Sequence, residues 1–231
     1  MSSFLFPEPV AAQNPALLIA AASDLAPLES PLSAISPVKI RFILGSSGQL
    51  ASQIRAGAPY DMYLSANTEL VEELRASGHL LGDSVKVYAT GRLALWSRGR
   101  RVQKLEELTK PEIRHVAIAN PSHAPYGLAA RQVLEKHGLW GPLQPKIVLA
   151  ENVRQTLQFA EGGNADVALV AWSLVLGTGG VLLPATDHAP IRQAGGIIKG
   201  TKHEADARRF MELLSSQAGR KVLAQFGYTA Q

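Results

Sequence analysis

The sequence of 231 residues contains no cysteine. Disulfide bonds, thiolate catalysis and cysteine-based zinc sites are therefore excluded. No apolar run reaches the roughly 20 residues that a membrane-spanning helix needs. Aromatic residues make up only 6% of the chain, although hydrophobic residues make up 46%. Small and aliphatic side chains therefore supply most of the core, a composition that suits strands and helices packed in layers.

Charged residues are also scarce, at 18% of the chain, and their formal balance is +4. A protein that binds nucleic acid usually concentrates its lysines and arginines on one surface. Here the only dense basic run consists of Arg98, Arg100, Arg101 and Lys104. We interpret this run as a solvated loop and predict no nucleic-acid partner.

The N-terminal segment has no lysine or arginine before Lys39, and Pro7 and Pro9 interrupt its apolar start. An intact signal peptide would have a basic beginning and a longer apolar run. We therefore expect residues 1–14 to be a processed, truncated or engineered leader that is disordered.

Strand-like and helix-like segments alternate along the chain, which predicts an α/β protein with mostly parallel sheets. Helices are expected over 49–56 and 128–137, and one long β segment over 85–97 with a glycine in its middle. Pro27 and Pro31 predict that the helix after Ser23 is short or kinked, because proline is tolerated only in the first helical turn.

Two buried strands end in small hydroxyl residues where a helix could begin. The first leads into Ser23 and Asp24, and the second leads into Gly45-Ser46-Ser47-Gly48. The first turn of a helix leaves backbone N–H groups without partners, and these groups together with the helix dipole favour an anion. Two such ends facing each other would hold a small oxyanion without any positive side chain.

Four segments, in this order and spacing, resemble the periplasmic molybdate-binding proteins of ABC transporters. They are Ala20-Ala21-Ala22-Ser23-Asp24-Leu25; Gly45-Ser46-Ser47-Gly48; the segment 58–66, APYDMYLSA; and the loop 120–127, NPSHAPYG, together with Glu151-Asn152-Val153-Arg154. Each motif alone is weakly specific, whereas the ordered set is specific. The resemblance extends from about Ala16 to the C-terminus.

The resemblance implies a two-lobed periplasmic-binding-protein fold of type II, with the ligand in the cleft between the lobes. It places lobe I at residues 15–87 and 193–231 and lobe II at residues 88–192. Hinged closure on the ligand is the usual motion of such a design.

By position in the family, the resemblance implies five residues that contact the oxyanion. Ser23 and Ser47 would donate from lobe I, with Asp24 as a further candidate through its backbone N–H. Tyr126 and Val153 would donate their backbone N–H groups from lobe II. Some family members add a tyrosine hydroxyl at the position of Ala171, and that donor is missing here.

The resemblance also implies a ligand, a partner and a location for the protein. The ligand would be molybdate or tungstate, with molybdenum or tungsten present only as the oxyanion and without direct protein ligands. No cofactor and no catalytic residue are expected. The partner would be an ABC transporter permease in the membrane, and the protein would be a periplasmic monomer.

Other interpretations of the same residues stay open. Ser23 could cap a helix, Ser46 and Ser47 could form an ordinary tight turn, and Asp24 would more often be a cap or a surface group than a ligand contact. Without the family, Val153 would be assigned only to the core.

At the level of function, the ligand could be sulfate or phosphate, or the chain could be a cytoplasmic sensor domain. A hydrolase using Ser47 is a further alternative, with His123 in the cleft loop as a possible base. The Gly-x-Ser-x-Gly motif of a nucleophile elbow is incomplete, however, because Gln49 follows Gly48. We interpret His123 as a residue that orders its loop.

Overall fold

The structure is a computed structural model, and it describes residues 16–230. The predicted leader, residues 1–14, lies outside the described residues. The strands are β1 (Leu17–Ala22), β2 (Ile40–Gly45), β3 (Met62–Ser65), β4 (Lys86–Gly91), β5 (Leu93–Ser97), β6 (Val116–Ala119), β7 (Ile147–Ala150), β8 (Val167–Ala171), β9 (Val181–Leu182), β10 (Ile191–Ile197) and β11 (Thr229–Ala230). The α-helices are α1 (Glu29–Ile35), α2 (Ser47–Arg55), α3 (Thr68–Ala76), α4 (Pro125–Lys136), α5 (Trp140–Leu143), α6 (Val153–Glu161), α7 (Trp172–Val175), α8 (Glu204–Ser215) and α9 (Gln217–Gln225).

The strands form two sheets. The first has the spatial order β11-β4-β10-β3-β1-β2, and the second has the order β7-β6-β8-β5-β9. Parallel pairs join β1 to β2 and β3, and β6 to β7 and β8. The prediction of mostly parallel sheets is wrong, because β10 pairs antiparallel with β3 and β4, and β5 pairs antiparallel with β8 and β9. β5 and β10 are the first strands after the chain passes from one sheet to the other, and each runs opposite to the strands β8 and β3 beside it.

The predicted long β segment over 85–97 is in fact two strands in two sheets. β4 ends at Gly91, and β5 begins at Leu93 in the other sheet. The return connection reaches the first sheet at Ile191, which is paired with Gly91. The two connections between the sheets therefore lie side by side. A Cβ on Gly91 would lie 2.1 Å from the hydroxyl oxygen of Tyr126, so only glycine permits this close approach.

Each sheet has its own buried core. One face of the first sheet packs against α1, α8 and α9 through residues such as Leu32, Phe210 and Leu223, which are buried. The opposite face packs against α2 and α3, with Leu50 and Leu74 in the contact. The second sheet is covered by α4 and α6 in a single continuous cluster. This layering follows from strands that are apolar on both faces.

The chain after β1 is kinked, as predicted. Ser23–Leu28 forms a 3-10 segment that contains Pro27, and α1 starts anew at Glu29. Pro31 then lies in the first turn of α1, where proline is tolerated. Arg98 and Arg101 of the basic run are exposed, in agreement with a solvated surface segment. Among residues 16–230, no helix has the length and apolarity needed to cross a membrane.

Candidate functional site

A small cavity lies between the two sheets, where four segments turn from strand or loop into helix. Its empty volume, including the opening, is about 190 Å³. A cavity of this size suits an ion of a few atoms and not a larger organic ligand. The residues that line it are Ala22, Ser23, Asp24, Gly45, Ser46, Ser47, Ala66, Ala124, Pro125, Tyr126 and Val153.

The structure brings all five predicted site residues to this one cavity. Ser23, Asp24 and Ser47 come from segments that follow β1 and β2 of the first sheet, while Tyr126 and Val153 begin α4 and α6 beside the second sheet. All five are buried. Their role as ligand contacts stays a prediction.

Three helices each leave one backbone N–H group, of a residue that lines this cavity, without an acceptor among residues 16–230. In α2 the N–H of Gly48 bonds to the carbonyl oxygen of His123 at 2.9 Å, and the N–H of Gln49 bonds to the capping Ser46 Oγ at 3.4 Å. The N–H of Ser47 has no acceptor among the described residues. Because Ser46 caps the helix, α2 starts at Ser47 rather than at Gln49 as predicted.

The helix α6 repeats this pattern. Asn152 Oδ1 accepts from the N–H groups of Arg154 and Gln155, at 3.1 and 3.0 Å. The N–H of Val153, the first helical residue, is left without an acceptor in residues 16–230.

In α4 the first residue is Pro125, which has no N–H, so the helix starts three residues earlier than the predicted Leu128. The N–H of Gly127 bonds to the carbonyl oxygen of Ala124 at 2.9 Å. The N–H of Tyr126 again has no acceptor within the described part of the chain. Each helix thus satisfies its other first-turn donors and leaves free the one that belongs to a predicted site residue.

Two serine hydroxyls add to these donors. Ser47 Oγ accepts from the N–H of Ala66 at 3.0 Å, and Ser23 Oγ accepts from the N–H of Arg154 at 3.4 Å. Since each oxygen receives a protein hydrogen bond, the hydroxyl proton is available to a further acceptor in the cavity. Ser23 does not cap the 3-10 segment that it begins, and the helix N–H group that it accepts belongs to α6.

Asp24 is neither a helix cap nor a surface group, which corrects the expectation from sequence. Its side chain is fully buried, and its Oδ2 accepts from Tyr126 Oη at 3.0 Å, Tyr228 Oη at 2.7 Å and Gln193 Nε2 at 2.8 Å. Burial raises the pKa of Asp24 to about 6, although these hydrogen bonds lower it in part. Oδ1 has no hydrogen-bond partner outside its own residue among residues 16–230.

Gln193 and Tyr228 were missed by the analysis of the sequence. They lie 169 and 204 residues from Asp24 along the chain, and no local motif connects them to it. Ser173 joins the same cluster by donating to the Asp24 carbonyl oxygen at 2.8 Å.

Beside the cavity, the start of α2 contacts the loop before α4 and the segment before α6. Ser46 Oγ lies 3.0 Å from His123 Nδ1, and Gln49 Nε2 donates to Glu151 Oε2. A Cβ on Gly48 would lie 2.8 Å from the carbonyl oxygen of His123, so the two segments touch closely. His123 therefore fixes the loop against α2, as the sequence suggested.

The structure also shows where the groups considered for an extra donor, a catalytic base and a metal site lie. Ala171, at the position where a tyrosine donor was considered, is buried at the end of β8 and does not line the cavity. No histidine in the described part of the chain hydrogen-bonds to Ser47, and His123 contacts Ser46 instead. No group of three or more histidine, aspartate or glutamate residues within 16–230 is placed to hold a metal ion.

Two sheets with a donor-lined cavity between them define the class of protein. Residues 17–229 match the family of bacterial extracellular solute-binding proteins, and the chain belongs to this family. The α/β, two-lobed periplasmic-binding-protein fold predicted from the sequence is confirmed.

Particular relatives narrow the comparison. The chain is 34% identical to the molybdate-binding protein ModA of Rhodobacter capsulatus, over 83% of this chain and 78% of the relative. It is 31% identical to a putative ABC transporter substrate-binding lipoprotein, YvgL, of Bacillus subtilis, over 81% of this chain and 74% of that protein. The solved periplasmic molybdate-binding protein of Azotobacter vinelandii superposes with a TM-score of 0.85 at 32% identity, covering 92% of this chain and 98% of that one.

Proposed function

We propose that this solute-binding protein captures molybdate in the cavity between its two lobes and delivers it to an ABC transporter. The observation that carries the proposal is the set of three first-turn N–H groups, of Ser47, Tyr126 and Val153, that converge without acceptors on one small cavity. The molybdate-binding relative at 34% identity supports the ligand, and the putative ABC transporter substrate-binding lipoprotein at 31% identity supports the transport role.

The chemistry of the donors suits a tetrahedral dianion. Molybdate carries no proton at neutral pH, so each of its oxygens accepts hydrogen bonds. Hydrogen bonds to a charged group contribute about 1.5–3 kcal/mol each, and the helix dipoles add to the attraction. Three N–H groups and the hydroxyls of Ser23 and Ser47 therefore hold the anion without lysine or arginine, neither of which lines the cavity.

We assign the lobes to residues 15–87 with 193–231 and to residues 88–192, and the ligand contacts to Ser23, Asp24, Ser47, Tyr126 and Val153. The two-sheet topology supports a first lobe that includes the C-terminal residues, with β4 and β10 of the first sheet extending past these bounds to Gly91 and Ile191. The lining of the cavity supports the choice of ligand contacts. Asp24 contributes its backbone N–H.

Further parts of the proposal follow from the same site. Tungstate fits with molybdate because both ions are tetrahedral dianions of nearly equal size. We assign the protein to the periplasm as a monomer that docks on a membrane permease and performs no catalysis. The extracellular solute-binding family and the transporter relative support the location and the partner.

Sulfate is the second candidate, because it has the same charge and shape and differs in size. The experiment is calorimetric titration of the purified protein with molybdate, tungstate, sulfate and phosphate at pH 7.5. We expect tight binding of the two metal oxyanions and binding of sulfate and phosphate that is weaker by a factor of 100 or more. Equal affinity for sulfate and molybdate would contradict the proposed ligand, and absence of binding for all four would contradict the site.

A further inference from the structure

One residue that lines the cavity, Asp24, carries a buried carboxyl group, and no cationic side chain lines the cavity to compensate it. Asp24 is the only acidic residue among those that line the cavity, and no lysine, arginine or histidine lines it. The carboxyl group is completely buried, with Oδ2 bonded to three donors and Oδ1 without a partner beyond its own residue among residues 16–230. A dianion in this cavity therefore shares a site of low polarity with a negative side chain.

The groups that face Asp24 come from every element packed around it. Tyr126 faces it from α4, Gln193 from β10, Ser173 from α7 and Tyr228 from the segment before β11. The hydroxyl of Tyr88, on β4, bonds to Gln193 Oε1 at 3.5 Å. The tyrosines are the only titratable groups in this set, and burial raises the pKa of each well above 10. They remain neutral donors, so nothing in this cluster balances a second negative charge.

We propose that oxyanion capture is coupled to the uptake of one proton by Asp24, so that the carboxyl group is neutral in the complex. This inference rests on the proposed function. Two like charges in a dry cavity repel strongly, and protonation from solvent removes that repulsion. Asp24 is then a residue that sets the pH dependence and the charge selectivity of the site.

The pKa of Asp24 in the ligand-free protein is close enough to neutral pH for this protonation to occur. In the ligand-free protein, burial raises the pKa of Asp24 to about 6, so the group is mostly ionised at pH 7 and close to its titration range. The charge of a bound dianion raises that pKa further. Between pH 7 and 8 the ligand itself does not titrate, and a change in bound protons there reports on the protein.

The test is calorimetric titration with sodium molybdate in buffers of different ionisation enthalpy, at pH 7 and pH 8. We expect uptake of more than about half a proton per anion at pH 7, and a loss of affinity of roughly three- to tenfold from pH 7 to pH 8. Tight binding with no proton uptake and equal affinity at both pH values would overturn this inference and leave the proposed function intact. Failure of molybdate to bind at either pH would overturn the proposed function, and this inference with it.

Two variants assign the proton to Asp24. Asp24→Asn keeps an acceptor for the three donors and mimics the neutral carboxyl group, so it should bind molybdate with no proton uptake and with equal affinity at pH 7 and 8. The control Asp83→Asn removes an exposed aspartate that does not line the cavity, and it should keep the uptake of the wild type. An unchanged proton uptake in Asp24→Asn would contradict the assignment.

If Asp24→Asn fails to fold, Tyr228→Phe replaces it. This variant removes one donor that stabilises the carboxylate, so it raises the pKa of Asp24 in the free protein. Proton uptake at pH 7 should then be smaller than in the wild type, because more of the group is already protonated before binding. Uptake equal to that of the wild type would count against Asp24.

Discussion

Replacement of Ser47 by alanine tests the donor site most directly. The hydroxyl of Ser47 accepts from the buried N–H of Ala66 at 3.0 Å and has its own proton free for the cavity. Ser47→Ala therefore removes one charge-assisted hydrogen bond to the anion, worth about 1.5–3 kcal/mol. At about 1.4 kcal/mol for each factor of ten, the dissociation constant for molybdate should rise roughly 10- to 150-fold.

The same substitution has a second effect that must be separated from the first. The N–H of Ala66 loses its acceptor and stays buried, which lowers the free energy of unfolding by about 1–3 kcal/mol. For a chain of this size, each kcal/mol lowers the melting temperature by about 2–4 °C. This loss is the same with and without ligand, so it does not change the affinity measured by calorimetry on folded protein.

Ser84→Ala is the matched control. Ser84 Oγ also accepts from a buried backbone N–H, that of Ile197 at 2.9 Å, and Ser84 does not line the cavity. It should lower the melting temperature by a similar amount and leave the affinity unchanged. The reasoning is refuted if Ser47→Ala binds molybdate within a factor of two of the wild type, or if Ser84→Ala loses as much affinity as Ser47→Ala.

Three further predictions follow from the contacts around the cavity. Gly48→Ala should weaken molybdate binding roughly 5- to 150-fold, because the new methyl group clashes with the carbonyl of His123 at a cost of about 1–3 kcal/mol. The control Gly141→Ala changes a helical glycine with open space around it and should leave the affinity unchanged. Equal affinities of the two variants in calorimetry would count against the close contact between α2 and His123. Tyr126→Phe should keep the affinity for molybdate within about threefold at pH 7, because the backbone N–H of residue 126 is the proposed donor. It should lower the free energy of unfolding by about 1–3 kcal/mol, because Asp24 loses a hydrogen bond. A large loss of affinity would mean that the phenol hydroxyl contacts the ligand. In the ligand-free protein the pKa of Asp24 is raised from 3.8 to about 6, so stability that is present below pH 4 is lost as the pH rises through 6, by roughly 3 kcal/mol. In urea unfolding, the free energy of unfolding of Asp24→Asn should therefore rise relative to that of the wild type between pH 4.5 and 7. A constant difference between the two proteins would contradict the pKa shift.

The fold was largely predictable because its local signals agree with its tertiary structure. Asn67 is a residue type that favours helix caps, and its Oδ1 accepts from the N–H groups of Glu69 and Leu70 at the start of α3. Gly57 and Gly138, which directly follow the predicted helices 49–56 and 128–137, adopt positive φ. These signals depend on a few neighbouring residues, so they can be identified without reference to the rest of the chain.

The division at Gly91 was not predictable, because strand-forming residues lie on both sides of it and no turn-forming cluster separates β4 from β5. The membership of two sheets is decided by long-range pairing, and only Arg92 lies between the two strands. The burial of Asp24 was missed for a similar reason. Its three partners lie between 102 and 204 residues away, so nothing near Asp24 distinguishes it from an exposed aspartate at a turn.

The adjacent pairing of Gly91 with Ile191 has a mechanical consequence. Because both covalent links between the halves of the molecule run next to each other, we expect relative movement of the halves to be mainly a rotation about an axis near these links. Opening then has one principal degree of freedom. A single pair of spectroscopic labels across the mouth, on opposite sides of the His123 contact, would follow the whole cycle of opening and closing.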